Sequence, residues 1–235
     1  MSRSSRRTIL LFALVGFALS LAGCGEEAAQ RKAFIQFLQT RIIDKPGLHI
    51  PIMSEQDVIN FGPYADQYRI MNGFHHQTGT SITQDFARAM QIGTPRSLPE
   101  LADHRDILPI LMTGLAKMKS ELDAAEAKAD AAHKALQQPP DLKAVYDTAY
   151  EHMVTKPAAV FRELIPAMQD ALPAIEELAA FLDENRSVIA YRDNTPVSTN
   201  SEVQMKLTAL LESATKSAEA SEEGKRKLRA MVEGN

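Results

Sequence analysis

Residues 101–136 read LADHRDILPILMTGLAKMKSELDAAEAKADAAHKAL, and their spacing decides the fold. Positions 101, 104, 108, 111, 115, 118, 122, 125, 129, 132 and 136 carry Leu, His, Leu, Leu, Leu, Met, Leu, Ala, Ala, Ala and Leu, an alternation of three and four held for five heptads. Only a helix brings such positions onto one face. The pattern predicts a continuous coiled-coil-like seam on the order of 50 Å long at about 1.5 Å per residue, bent in its first half by Pro109. The small residues Ala125, Ala129 and Ala132 would let a partner helix approach closely. Lys119, Glu121, Asp123, Glu126, Lys128 and Asp130 alternate in sign and are expected in water.

Working outward toward the C-terminus, Gln138-Pro139-Pro140 marks a turn, and Asp141 is the expected cap of a helix from Leu142 to about Val154. Thr155-Lys156-Pro157 opens another helix, since proline suits a first turn. Its apolar face runs from Val160 through Leu182, with Pro166 and Pro173 inside it, so a curved or kinked helix is expected. Val188 to Tyr191, Asp193-Asn194 and Thr195 to Val197 read as one short hairpin, with Pro196 restricting the second arm to an edge. Thr199 to Glu202 has capping-box spacing before a final helix to about Met231. Its stretch from Ser217 to Lys227 is weakly apolar, and fraying is expected there.

Toward the N-terminus, Ser54 reads as a cap with Met53 and Val58 placed as a hydrophobic staple. Phe61-Gly62-Pro63-Tyr64 interrupts that helix, because Pro63 removes a backbone donor. Helix resumes to about Gln91 and closes at Gly93-Thr94-Pro95. Glu26 to Ile43 predicts a first helix with Phe34, Ile35, Leu38 and Ile42 on one face, ended by Lys45-Pro46-Gly47. With aromatic residues at 6% and no Trp, the whole is predicted to be all-α. The expected form is an elongated multi-helix antiparallel bundle of about six kinked helices with one short β-hairpin near the C-terminal third.

The chain opens with an export signal. Ser2 to Arg7 carries three arginines, Thr8 to Ala22 is apolar and uncharged, and Leu21-Ala22-Gly23-Cys24 matches the bacterial lipobox. The reading is a cleaved lipoprotein signal peptide over 1–23 and a single lipid-anchored helical domain over 24–235, with Cys24 as the lipid attachment residue. The apolar core of the leader is shorter than the roughly 20 residues of a membrane span. Cys24 is the only cysteine, so neither a disulfide nor a cysteine-based metal site accounts for it. Acyl chains, at about 0.8 kcal/mol for each buried methylene, hold a protein when two or more are present. Localisation is expected at a bacterial membrane, periplasm-facing, with Gly25 after the cysteine favouring the outer membrane.

Charge excludes one large class of partner. The chain carries a formal charge of -4, and losing Arg3, Arg6 and Arg7 with the leader takes it to -7, whereas nucleic-acid binding needs clustered cations. No G-x-S-x-G elbow, phosphate-cradling glycine loop or His-Glu-x-x-His helix occurs, so no catalytic residue, cofactor site or metal site is assigned and the chain is not read as an enzyme. His75 and His76 point about 100° apart on a helix, and neither has a ligand type three or four residues away; surface or half-buried histidines outweigh a metal pair. His104 falls on the seam and His133 at its rim, where hydrogen-bonded packing is the ordinary explanation. Tyr146 and Tyr150, and Phe61, Tyr64 and Tyr68, form either an aromatic pocket or core, with core favoured. Arg31 and Lys32 lie near the lipid and are candidates for head-group contact, opposed by Glu26 and Glu27.

Gln30 to Gln39 (QRKAFIQFLQ), Phe61 to Tyr64, Ala129 to Leu136 (ADAAHKAL), Asp141-Leu142-Lys143 and Leu164-Ile165-Pro166 together resemble the YiaF-like bacterial lipoproteins, domain-of-unknown-function family 3053. The segments match in order and spacing over most of the mature chain, least well after the hairpin. The resemblance implies a membrane-associated lipoprotein and carries over no catalytic or ligand residue. Two functions follow as expectations. The first is a non-enzymatic envelope component that binds another envelope protein or itself through an exposed apolar stripe around Leu115 to Ala132. The alternative is a small-molecule or lipid carrier, its helices bowed around a cavity by Pro63, Pro109, Pro166 and Pro173.

Overall fold

The first helix, α1, is described over 25–38 and closes in a π-helical turn, Gln39–Ile43. The computed structural model describes residues 25–91 and 97–234, the stretch 80–91 as backbone only, so the leader, the lipobox and Cys24 lie outside the described residues. Ser54 caps α2 (Glu55–Phe61) in a full capping box with Asp57, not with a glutamate. The backbone N–H of Ser54 and then its hydroxyl hold the Asp57 carboxyl below its usual range. Met53 and Val58 both pack on the main core, as a staple does. The interruption falls where Pro63 requires it: Gly62 has φ +54°, a 3₁₀ turn covers Gly62–Tyr64, and α3 (Ala65–Gln91) follows. The expected closing signal, Gly93-Thr94-Pro95, lies outside the described residues.

The long seam is one helix only in part. α4 (Leu98–Asp103) ends at His104, and α5 (Ile107–Ala135) starts afresh. In an unbroken helix Pro109 would leave the Arg105 carbonyl without its donor; that carbonyl instead takes the Leu108 N–H at 3.1 Å, and Pro109 sits in a first turn where no N–H is needed. His104 is therefore exposed in the elbow and not a seam residue. Glu126 and Asp130 also depart from expectation, since Glu126 is only 16% exposed and pairs with Arg162 while Asp130 accepts from the Tyr150 hydroxyl at 2.7 Å.

After the turn, α6 (Pro140–Tyr150) starts one residue before the expected cap. Pro139 is the N-cap, because the fixed φ of Pro140 suits a first position, and Asp141 pairs with Arg31 at 3.3 Å. No break separates α6 from the next helix. A π-helical segment, Glu151–Thr155, runs straight into α7 (Lys156–Glu184). Pro157 has no N–H to return to Met153, and the wider π turn passes that gap without ending the helix. Pro166 and Pro173 likewise lie inside a single α7.

The hairpin forms as its turn chemistry dictates. β1 (Ile189–Arg192) pairs antiparallel with β2 (Thr195–Ser198), and Asp193 and Asn194 take φ +49° and +63° as a two-residue primed turn requires. α8 (Ser201–Glu233) is capped by Asn200, whose carboxamide accepts from Glu202 and Val203, so the cap is one residue beyond the expected Thr199. Its weakly apolar stretch is helical throughout, with Ser221 and Gly224 buried.

α7 packs antiparallel to both α5 and α8: Glu126 meets Arg162 while Leu108 lies by Leu172, and Gly224 sits on Leu164 while Lys206 reaches Glu177. One core joins α1, α2, α3, α5, α6 and α7 around Phe34, Tyr68, Met71, Leu122, Tyr146 and Ile165. A second joins Ala102, Leu178, Leu182, Ile189, Leu207 and Leu210 at the hairpin end. The chain closes on itself where Gly234, at φ +78°, lies against the Pro46-Gly47 turn. The architecture is an all-α bundle with one small sheet among the described residues.

Candidate functional site

The region next to the predicted anchor is built from α1, the Gly62–Tyr64 turn and the start of α6. α1 is helical at Gly25, the first described residue, and the Tyr64 hydroxyl donates to Glu27. Burial and then this carboxylate push the Tyr64 pKa up to about 12, so the phenol stays protonated. Arg31 reaches Glu27 at 3.4 Å and Asp141 at 3.3 Å, tying α1 to α6. A Cβ on Gly62 would lie 2.5 Å from the Gln30 carboxamide, so α1 crosses the turn closely. Arg31 is thus engaged within the bundle, and Lys32 is exposed.

The aromatic residues form core and not a pocket. Phe34 stacks on Tyr64 with centroids 6.0 Å apart and tilts against Phe61 and Tyr146, and Tyr68 meets Phe37 edge-on. The buried Tyr146 hydroxyl donates to the Gln67 carbonyl at 2.8 Å, and that of Tyr68 to the Pro51 carbonyl. Desolvation raises all three tyrosines on this path, Tyr68, Tyr146 and Tyr150.

The histidines take three environments. His133 is half-buried, its ring 4.1 Å from that of Tyr150 and its Nε2 2.8 Å from Asp147. Burial opposes ionisation of Asp147, but hydrogen bonds from Lys143 and His133 outweigh it and hold the carboxyl below its usual range. His75 stands edge-on to Phe74 with its Nε2 buried and without a hydrogen bond, and burial depresses its pKa to about 4 against a contact with the Met153 backbone. That contact is to the residue whose carbonyl Pro157 leaves without a donor. His76 lies exposed beside it. Among the described residues no three His, Cys, Asp or Glu side chains gather as metal ligands would.

The seam itself is internal, which corrects the expected exposed stripe. Leu115, Met118, Leu122, Ala125 and Ala129 are all buried in the main core, because α3 and α7 both lie against α5. Apolar side chains reach solvent elsewhere. Ile52 is 90% and Ile59 68% exposed, with Ile50 beside them in sequence. Local spacing carries no signal for these outcomes, since the pairs Tyr64 with Glu27, Arg31 with Asp141 and Glu126 with Arg162 are all distant in sequence.

The segments at Gln30 to Gln39, Phe61 to Tyr64 and Leu164 are the ones that bring α1 onto the turn and α8 onto α7. A model for a protein family of unknown function, DUF3053, matches residues 10–228. The chain belongs to DUF3053. Its relatives include the uncharacterized protein YiaF of Escherichia coli strain K12, of Escherichia coli O157:H7 and of Shigella flexneri. Each is 28% identical over 194 residues, covering 82% of this chain and 82% of the relative. No solved structure matches. Among the described residues of this DUF3053 chain, no helix is long and apolar enough to cross a membrane.

Proposed function

We propose that this DUF3053 chain is a bacterial cell-envelope lipoprotein that acts without catalysis, as a binding component for another envelope protein or a second copy. Its leader, residues 1–23, is removed, Cys24 is acylated, and the helical body faces the periplasm, with the outer membrane favoured. The observation that supports this most is that the chain is already helical at Gly25 and is clamped to the body there by Tyr64 on Glu27 and by the Arg31 to Asp141 pair. A lipid on the preceding residue would then fix the height and orientation of the whole bundle, with no flexible linker to average them. The seam is covered, so the binding surface is placed at Ile50, Ile52 and Ile59, apolar side chains within ten residues on the extended segment and the outer face of α2.

Mass spectrometry of the protein released from bacterial membranes tests the anchor: the N-terminal peptide should begin at Cys24 with added acyl mass, and Cys24→Ser should lose it. An unmodified or uncleaved N-terminus would overturn the reading. A photoreactive amino acid at Ile52 or Ile59 in living cells should cross-link to an envelope protein or to a second copy, whereas one at exposed Lys206 of α8 should not. Equal cross-linking from both places would remove the assignment of the surface.

A further inference from the structure

α3 and α5 do not close fully on each other. Between them lies a groove of about 260 Å³, floored by Phe74, Ala125 and Ala129, all buried, and walled by Ile70 and Ala132. No side chain among the described residues fills it. Gly73 faces it from α3 with no atom within 4 Å of the position its Cβ would occupy, and α5 answers with alanines. Space of this size holds about nine waters at roughly 30 Å³ each, set against a wall that offers them few hydrogen bonds. An apolar body displaces such water favourably.

The rim supplies a sign. Lys128 is exposed at the edge and makes no ion pair among the described residues. Arg69 is engaged only with Asp66 on its own helix, both more than half exposed, a pairing that solvent screens and a ligand can exchange. Two cations against one carboxylate suit a single negative charge. The volume falls just below the roughly 300–1,000 Å³ of drug-sized pockets, which suits one alkyl chain and excludes a bulky ring system.

We propose that this groove binds one alkyl chain of an anionic amphiphile, that chain on Phe74, Ala125 and Ala129 and the charge at Lys128 and Arg69. The supply of that ligand rests on the anchor reading: Asp66 at the groove mouth is two residues from Tyr64, which holds the first turn of α1, so acylated Cys24 places the mouth beside the bilayer. The same chemistry is offered by a free medium-chain carboxylate and by one acyl chain of an anionic phospholipid.

The full chain in native bacterial membranes tests this with three diazirine-bearing probes: dodecanoic acid, dodecanol and phosphatidylglycerol. After irradiation, labelled peptides should map to 66–77 and 125–132, with the acid or the phosphatidylglycerol labelling at least tenfold above the alcohol. Labelling by the acid assigns a free carboxylate, and labelling by phosphatidylglycerol alone assigns a membrane lipid. Gly73→Leu fills the groove from an exposed helix position and should cut labelling tenfold while the helix signal is unchanged. Lys128→Glu should weaken labelling by the anionic probe several-fold and leave the alcohol unaffected. Equal labelling by acid and alcohol, label outside both peptides, or indifference to Gly73→Leu would overturn the proposal. The Cys24 peptide of the same digest reports the anchor separately, so loss of the acyl mass and loss of groove labelling are distinguishable.

Discussion

Gly224 of α8 lies against Leu164 of α7 so closely that a Cβ at position 224 would stand 2.8 Å from Leu164 Cδ1 and 3.2 Å from Leu164 Cα. The backbones of α7 and α8 approach there because one of them has no side chain. Elsewhere in a helix interior, replacing glycine by alanine stabilises by about 1 kcal/mol. Here Gly224→Ala is expected to destabilise by about 1–2 kcal/mol, since the Leu164 tip can turn away but its Cα cannot. Gly73→Ala, facing open space, is the control and should raise the melting temperature. Thermal unfolding of the two variants side by side gives the opposite signs.

His75 makes stability depend on pH. Its folded pKa is depressed to about 4 from 6.5 by burial, so the unfolded chain takes up the proton first as pH falls. Stability is flat above about pH 6.5, declines between 6.5 and 4, and the contribution levels off below 4. The loss reaches at most about 3 kcal/mol at 1.36 kcal/mol for each unit of pKa. Urea midpoints measured across this window should show the decline in the parent chain and a clearly shallower one in His75→Gln. Identical slopes would mean that carboxylates elsewhere govern it.

The Tyr146 hydroxyl is a second donor to the Gln67 carbonyl, which as a residue of α3 also takes the helical N–H of Met71. Tyr146→Phe keeps the ring contacts with Phe34 and Tyr150 and removes only that hydrogen bond. The carbonyl keeps its helical partner, so only the net worth of one hydrogen bond, about 0.5–1.5 kcal/mol, should be lost in chemical denaturation. A neutral outcome would show that this second hydrogen bond adds nothing to stability.

Two neighbouring substitutions separate the cap of α8 from its sequence neighbour. Asn200→Ala removes the acceptor for the Glu202 and Val203 N–H groups and should cost about 1 kcal/mol. Thr199→Ala should change little. Amide hydrogen exchange of the first turn of α8 reads the effect locally, with faster exchange in the Asn200 variant alone.

Local chemistry made much of this fold legible. The Ser54 cap, the break at Gly62-Pro63, the Asp193-Asn194 turn and the apolar face of α7 each depend on residues within one or two turns of each other, so periodicity and backbone sterics suffice to read them. The prolines were harder. Pro109 and Pro157 each remove one donor, but whether the chain answers with an elbow, as at His104, or a π turn, as at Glu151–Thr155, depends on what packs against it.

The candidate site was less legible still. The lipobox match at Leu21-Ala22-Gly23-Cys24 can be read without a fold, because the motif is a contiguous run of residues. The fate of the seam cannot. Leu115 to Ala129 carries the same pattern whether it meets a partner or its own chain, and it is internal because α3 and α7 arrive on it from residues far away.

By itself, then, the sequence supplied the lipobox match and located the hairpin and most of the helices, which rest on interactions between near neighbours, but not the break at His104 or the join of α6 to α7. Only the tertiary structure decided which apolar face is covered, that Gly73 opens a groove while Gly224 closes a contact, and that Arg31 and Glu126 are held inside the bundle. Those outcomes turn on which distant segments meet, and burial and close packing are properties of such meetings and not of either segment alone.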